Sequence, residues 1–135
     1  MLRRHLLFAP LLLALPAISL PLTAHAAEDK KKGGGVNYTQ LPMITVFTQA
    51  ASAHHGTMSV EVGLYAADPK MTAKIQLYLP RLRDAYVSKL QNYASGLNAR
   101  SEVNTDIVGT QLQTVTNQVL GQQGATVLLG SIILN

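Results

Sequence analysis

Residues 57–66 alternate without a break: Met58, Val60, Val62, Leu64 and Ala66 share one parity, while Thr57, Ser59, Glu61, Gly63 and Tyr65 share the other. A period of two is the signature of a half-buried β-strand, because successive side chains leave opposite faces of the pleat. Such a strand cannot stand alone. It needs neighbours for its backbone and a second layer for its apolar face, so the rest of the chain must supply both.

The flanking segments fit that demand. Residues 38–48, YTQLPMITVFT, are rich in β-branched and aromatic side chains and predict a first strand, with Pro42 marking an edge or a bulge. The small and polar residues 50–56 predict the hairpin connection to the alternating strand, with Gly56 leading back into the sheet. After it, Asp68 and Pro69 form a helix start, an N-cap acceptor followed by a residue whose missing N–H costs nothing there. Ile75, Leu79, Leu82, Tyr86, Leu90 and Tyr93 then recur at helical spacing over residues 69–95. Pro80 lies inside that stripe, so the expectation is a short helix, a bend at Leu79-Pro80 and a longer helix closed by Gly96. Asn104, Thr105 and Asp106 offer caps for a second helix over 105–120, with Val108, Leu112, Val115 and Val119 as its apolar face and Gly121 as its stop. Its Thr- and Gln-rich filling is a weak helix former, so packing must hold it. Residues 125–134, ATVLLGSIIL, are apolar on both faces and predict a third strand, read here as the central one. The fold class is therefore α+β, a small three-stranded sheet with two amphipathic helices packed on it in the order β-β-α-α-β.

The N-terminus reads differently. Arg3, Arg4 and His5 precede an apolar run of 17 residues, 6–22, followed by Ala24-His25-Ala26, the order of an export signal with cleavage after Ala26. An uncleaved anchor is the rival reading. It needs about 20 apolar residues, and this run is shorter and holds Pro10, Pro16 and Pro21. The Arg pair also resembles part of a twin-arginine signal, which leaves the export route open. Residues 27–35, AEDKKKGGG, cannot bury enough surface to offset their ordering entropy and are expected to form a flexible linker. Lys30, Lys31 and Lys32 could make weak contact with anionic headgroups. Glu28 and Asp29 offset most of that charge, which favours a solvated tether.

The 109 residues from Ala27 onward suffice for one domain, 36–135, and not for two. They carry nine Lys or Arg against seven Asp or Glu, a net charge of +2, so the basic balance of the whole chain does not announce a nucleic-acid surface. With no cysteine there is neither disulfide nor thiolate chemistry.

Four phrases occur in an order that resembles the flagellar basal-body-associated FliL family. They are Tyr38-Thr39-Gln40-Leu41-Pro42, Gly56 with Val60-Glu61-Val62-Gly63-Leu64, Leu79-Pro80-Arg81-Leu82-Arg83-Asp84-Ala85, and the terminal stretch 128–135. The resemblance spans residues 36–135. It implies a periplasmic domain with a stomatin/SPFH-like core that self-associates and supports the flagellar stator proteins. Two departures stand against a direct transfer of function. The family's anchor is usually uncleaved, and the connection between the helices, residues 92–106, lacks the pattern of flagellar members. An exported binding module of another cell-envelope complex is the alternative.

Chemistry is sparse. His54 and His55 sit together near the expected hairpin tip without a third or fourth ligand close in sequence, which favours a solvated turn over a metal site. Glu61, Asp68, Asp84, Glu102 and Asp106 show no paired spacing for general acid and base, and no Gly-x-Ser-x-Gly elbow is present. Neither catalysis nor a cofactor is expected. Arg81 and Asp84 are spaced to pair on one helix face. Tyr78 and Leu77 lie off the apolar stripe and could mark a contact surface, and the resemblance suggests Arg81 or Arg83 as a reach to a neighbouring subunit. Tyr78, Arg81 and Arg83 are accordingly the candidate interaction residues.

In a fractionated bacterial host, the intact mass of the protein should match residues 27–135 and should be found in the periplasm. A full-length mass in the membrane fraction would establish the anchored alternative.

Overall fold

The computed structural model describes residues 35–51 and 54–135. The expected export signal and the lysine run lie outside them. Six elements follow one another: β1 (Tyr38–Gln40), β2 (Ile44–Ala51), β3 (His54–Tyr65), α1 (Pro69–Ala94), α2 (Thr105–Leu120) and β4 (Thr126–Leu134). The α+β class stands as expected.

The alternating segment becomes β3, and Met58, Val60, Val62 and Leu64 are fully buried on one face. Both edges of β3 are paired. On one edge β1 runs antiparallel with Tyr38 opposite Tyr65, and β2 with Ile44 opposite Val60. On the other edge β4 runs antiparallel from Thr126 opposite Tyr65 to Leu134 opposite Met58. The expected first strand is thus two strands, and the sheet has four rather than three. Pro42 is the cause. Leu41 N–H still donates to the Val62 carbonyl at 3.0 Å, but Pro42 has no N–H to continue the ladder, and pairing resumes only at Ile44. The expected hairpin connection shortens as well, because the strands reach Ala51 and restart at His54.

β3 is central, and β4, expected there, is an edge strand that pairs with β3 alone. Apolarity on both faces reports what lies above and below a strand, not which strands flank it. Val127, Leu129, Ile132 and Leu134 are half-buried against the core, while Leu128 and Ile133 remain exposed on the opposite face.

α1 and α2 supply the second layer. Asp68 accepts from Lys70 N–H at 2.9 Å as the N-cap of α1, and Met71, Ile75, Leu82, Tyr86, Leu90 and Ala94 form its buried stripe. α1 is assigned as one helix of 26 residues with Pro80 inside it, not as a short and a long helix. Pro80 is exposed, and Ile75 and Leu82 on either side of it are buried in the same core. Packing therefore carries the helix past the lost hydrogen bond. The end also differs: Ser95 is the C-cap in a right-handed conformation, and its N–H returns to the Gln91 carbonyl. α2 begins and ends as its sequence predicts. The Asn104 side chain accepts from Asp106 and Ile107 N–H, both at 3.1 Å, and Gly121 adopts the left-handed φ of 71°. No helix among the described residues is long and apolar enough to cross a membrane.

The helices are joined by one buried polar contact. Thr116 donates its hydroxyl proton to the Leu112 carbonyl at 2.6 Å, so the 2.5 Å bond between Tyr86 and Thr116 has Tyr86 as donor. Burial pushes the Tyr86 phenol up to about 12. On the opposite sheet face the Tyr38 ring lies on Gly63, where a Cβ would come within 2.0 Å of the phenol oxygen. Only glycine fits under that ring.

Two stability measurements follow from these contacts. Tyr86→Phe should lower unfolding free energy by about 1 kcal/mol in urea titrations. In the unfolded chain Tyr86 ionises near 10.0, whereas in the fold it keeps its proton to about 12. The wild type should therefore lose stability between those values as pH rises, and the Phe variant should lack that share of the loss. Gly63→Ala should cost roughly 1–3 kcal/mol through overpacking. Adding Tyr38→Ala should recover part of that loss, a non-additivity that a double-mutant cycle detects.

Candidate interaction site

The three residues singled out from the sequence do not form one site. At about 100° per residue, Tyr78 and Arg81 are neighbours on α1, but Arg81 and Arg83 lie on opposite flanks of it. Arg81 sits over the Tyr78 ring with its guanidinium carbon 5.7 Å from the centroid, and Lys74 brings its ammonium to 5.8 Å. The half-buried Tyr78 packs against the core and offers its ring to both cations. Arg81 and Asp84, expected to pair, do not: neither they nor Arg83 has an ion-pair partner among the described residues. Leu77 is exposed.

Arg83 belongs to a different place. With Leu41, Pro42, Leu79 and Pro80 it lines a cleft of about 250 Å³. The break between β1 and β2 provides Leu41 and Pro42, and the middle of α1 provides the other three. Leu41 is buried and forms the floor, Leu79 is half-buried, and the two prolines and Arg83 are exposed. The walls are tied together. Gln76 Nε2 donates to Thr39 Oγ1 at 3.3 Å, fastening α1 to β1. Gln40 Nε2 donates to the carbonyls of Leu41 and Val62 at 3.1 and 3.2 Å, holding the backbone of the break.

The chemistry of this cleft follows from its prolines. Neither carries an N–H, so the walls they form present apolar rings with no donor to be stranded when the cleft is covered. Pro80 also withholds the helical donor from the carbonyl of Gln76, four residues earlier. Among the described residues the charge in the lining is the Arg83 guanidinium. The site is thus apolar, with one cationic fork at its rim and no group able to transfer a proton or attack a substrate.

The remaining polar groups assemble no reaction centre. His55 is exposed with its ring 6.3 Å from that of Phe47, edge to face. No group of three or more His, Cys, Asp or Glu among the described residues could hold a metal. The Glu61 carboxylate accepts from Ser131 N–H at 3.1 Å, where a β-bulge sets Glu61 of β3 against Gly130 and Ser131 of β4, and Asp68 is engaged as the α1 cap. A second shallow cavity of about 270 Å³ at the start of α2 is lined by Asp106, Ile107, Thr110 and Gln111. It adds one carboxylate and no partner for it.

Sequence reasoning reached Arg83 but missed the cleft. Its signal was the pair of Leu-Pro dipeptides, Leu41-Pro42 and Leu79-Pro80. Nothing in one dimension shows that they meet. No protein-family model and no curated protein matches the chain.

Proposed function

We propose that this chain is an exported, non-enzymatic protein-binding module of FliL-like kind. It acts on the periplasmic side of the inner membrane, self-associates, and serves as an accessory of the flagellar motor. The observation that carries the binding part is the convergence of Leu41-Pro42 and Leu79-Pro80 on one apolar cleft, rimmed by Arg83 with no ion-pair partner among the described residues. An apolar depression with a single oriented charge is the composition of a docking site, and it lacks the convergent polar groups that catalysis needs. The flagellar part is supported by the order of the four phrases, and the α+β arrangement of a sheet backed by two helices is compatible with a stomatin/SPFH-like core. Export is supported by the N-terminal pattern of Arg3 and Arg4, apolar run and Ala24-His25-Ala26.

The test is a deletion strain assayed for swimming and swarming under raised viscous load. Reduced motility, restored by the wild-type gene, is the expected result. Normal motility at high load would remove the motor and move the module to another complex of the cell envelope. Light scattering of the purified protein reads self-association separately, and a monomer at all concentrations would sink that part alone.

A further inference from the structure

We infer that the cleft between the β1–β2 break and the middle of α1 takes an acidic linear segment of a partner protein. The occupant is an extended stretch that places one branched or aromatic side chain between Pro42 and Pro80 and a neighbouring Asp or Glu on Arg83. This deepens the binding-module reading and rests on it.

Size decides the class of ligand first. The cleft measures about 250 Å³, below the roughly 300–1,000 Å³ typical of sites for small molecules and cofactors. It has room for an apolar side chain or two, which is what a peptide anchor requires.

Charge decides the character of the partner. Arg83 is exposed at the rim and has no carboxylate partner among the described residues. A guanidinium presents paired donors that match a carboxylate, and a bond between the two charged groups is stronger than a neutral one. Arg81 and Lys74 lie over Tyr78 on the far flank of α1, so among the described residues Arg83 is the charged group in the cleft lining. An apolar floor and a cationic fork at its rim together describe a short peptide with an acid beside its anchor.

The experiment immobilises the full chain and pans a displayed library of random linear peptides, with soluble synthetic copies of the selected peptides titrated by fluorescence anisotropy. The expected result is enrichment of Asp or Glu next to Leu, Ile or Phe. Binding should weaken about tenfold or more in Arg83→Glu and should weaken with added salt. Arg83 is exposed and has no ion-pair partner among the described residues, so circular dichroism should show the variant folded, and panning against it should select Lys or Arg in place of the acid. Enriched apolar peptides without an acid preference, indifferent to Arg83→Glu but lost in Pro42→Asp, would overturn the acidic partner while leaving a binding module. Retention of no peptide at the cleft would overturn both. Dissociation of a self-associated wild type by Arg83→Glu, without peptide selection, would give the cleft to a second copy and overturn the linear segment.

Discussion

The domain depends on one constraint, the burial of β3 on one face together with the pairing of its backbone on both edges. Met58, Val60, Val62 and Leu64 are wholly buried, and backbone groups at such positions must find partners or cost as much as a lost hydrogen bond. β1 and β2 satisfy one row and β4 the other. The sheet is therefore complete only when the C-terminal strand has returned beside the strand formed near the start. Its long-range pairing ties residues 54–65 to 126–134 and encloses both helices within one loop of chain. Close approach is part of the same arrangement. Side chains at Gly63 and Gly130 would collide with Tyr38 and Glu61, and one at Gly56 with Thr48 and the Asn135 carbonyl.

With β3 in the middle, the outer edges of β2 and β4 are left to be managed, and two helix-borne glutamines do part of that work. Gln91 of α1 donates to the Phe47 carbonyl at 2.8 Å and accepts from Phe47 N–H at 3.1 Å. Gln113 of α2 donates to the Ala125 carbonyl at 2.8 Å and accepts from Val127 N–H at 2.9 Å. Each side-chain amide stands where a further strand would put its backbone, which blunts an edge that would otherwise be open to pairing. These bonds also set where each helix lies over the sheet. Gln91 on β2 and Gln76 on β1 hold α1 along the edge that contains the Pro42 break, so the cleft is a consequence of how the edge is closed.

This explains which parts of the fold were legible in the sequence. The alternation of 58–66, the stripe from Ile75 to Tyr93 and the caps at Asp68, Asn104 and Gly121 are local signals, and each produced the element expected of it. Strand order was not legible, because it depends on which edge of β3 each neighbour takes, and apolarity measures faces. The continuity of α1 through Pro80 was not legible either, since the local penalty is visible in the sequence and the tertiary contacts that override it are not. Thr116 looked like poor helix filling and is buried because Tyr86 needs an acceptor across the helix interface. Of the candidate site, Arg83 could be named, whereas its meeting with Leu41 and Pro42 depends on the tertiary fold.

Both prolines of the cleft break a local rule. In a helix interior proline costs about 3 kcal/mol relative to good helix formers, and within a strand it ends the ladder. Neither position demands it for folding: Pro80 is exposed on α1, and Pro42 splits a strand whose pairing resumes two residues later. The exposed apolar residues of the open sheet face, Phe47, Tyr65, Leu128 and Ile133, are interspersed with Thr45, Ser59 and Glu61 and break no such rule. Sequences that specify a fold are consistent at every level except where function asks otherwise. Two unrelated elements each carry an unfavourable proline, and the fold brings both to the walls of one cleft, with an arginine at its rim that has no ion-pair partner among the described residues. That coincidence is the reason for proposing the cleft, rather than the open sheet face, as the docking site.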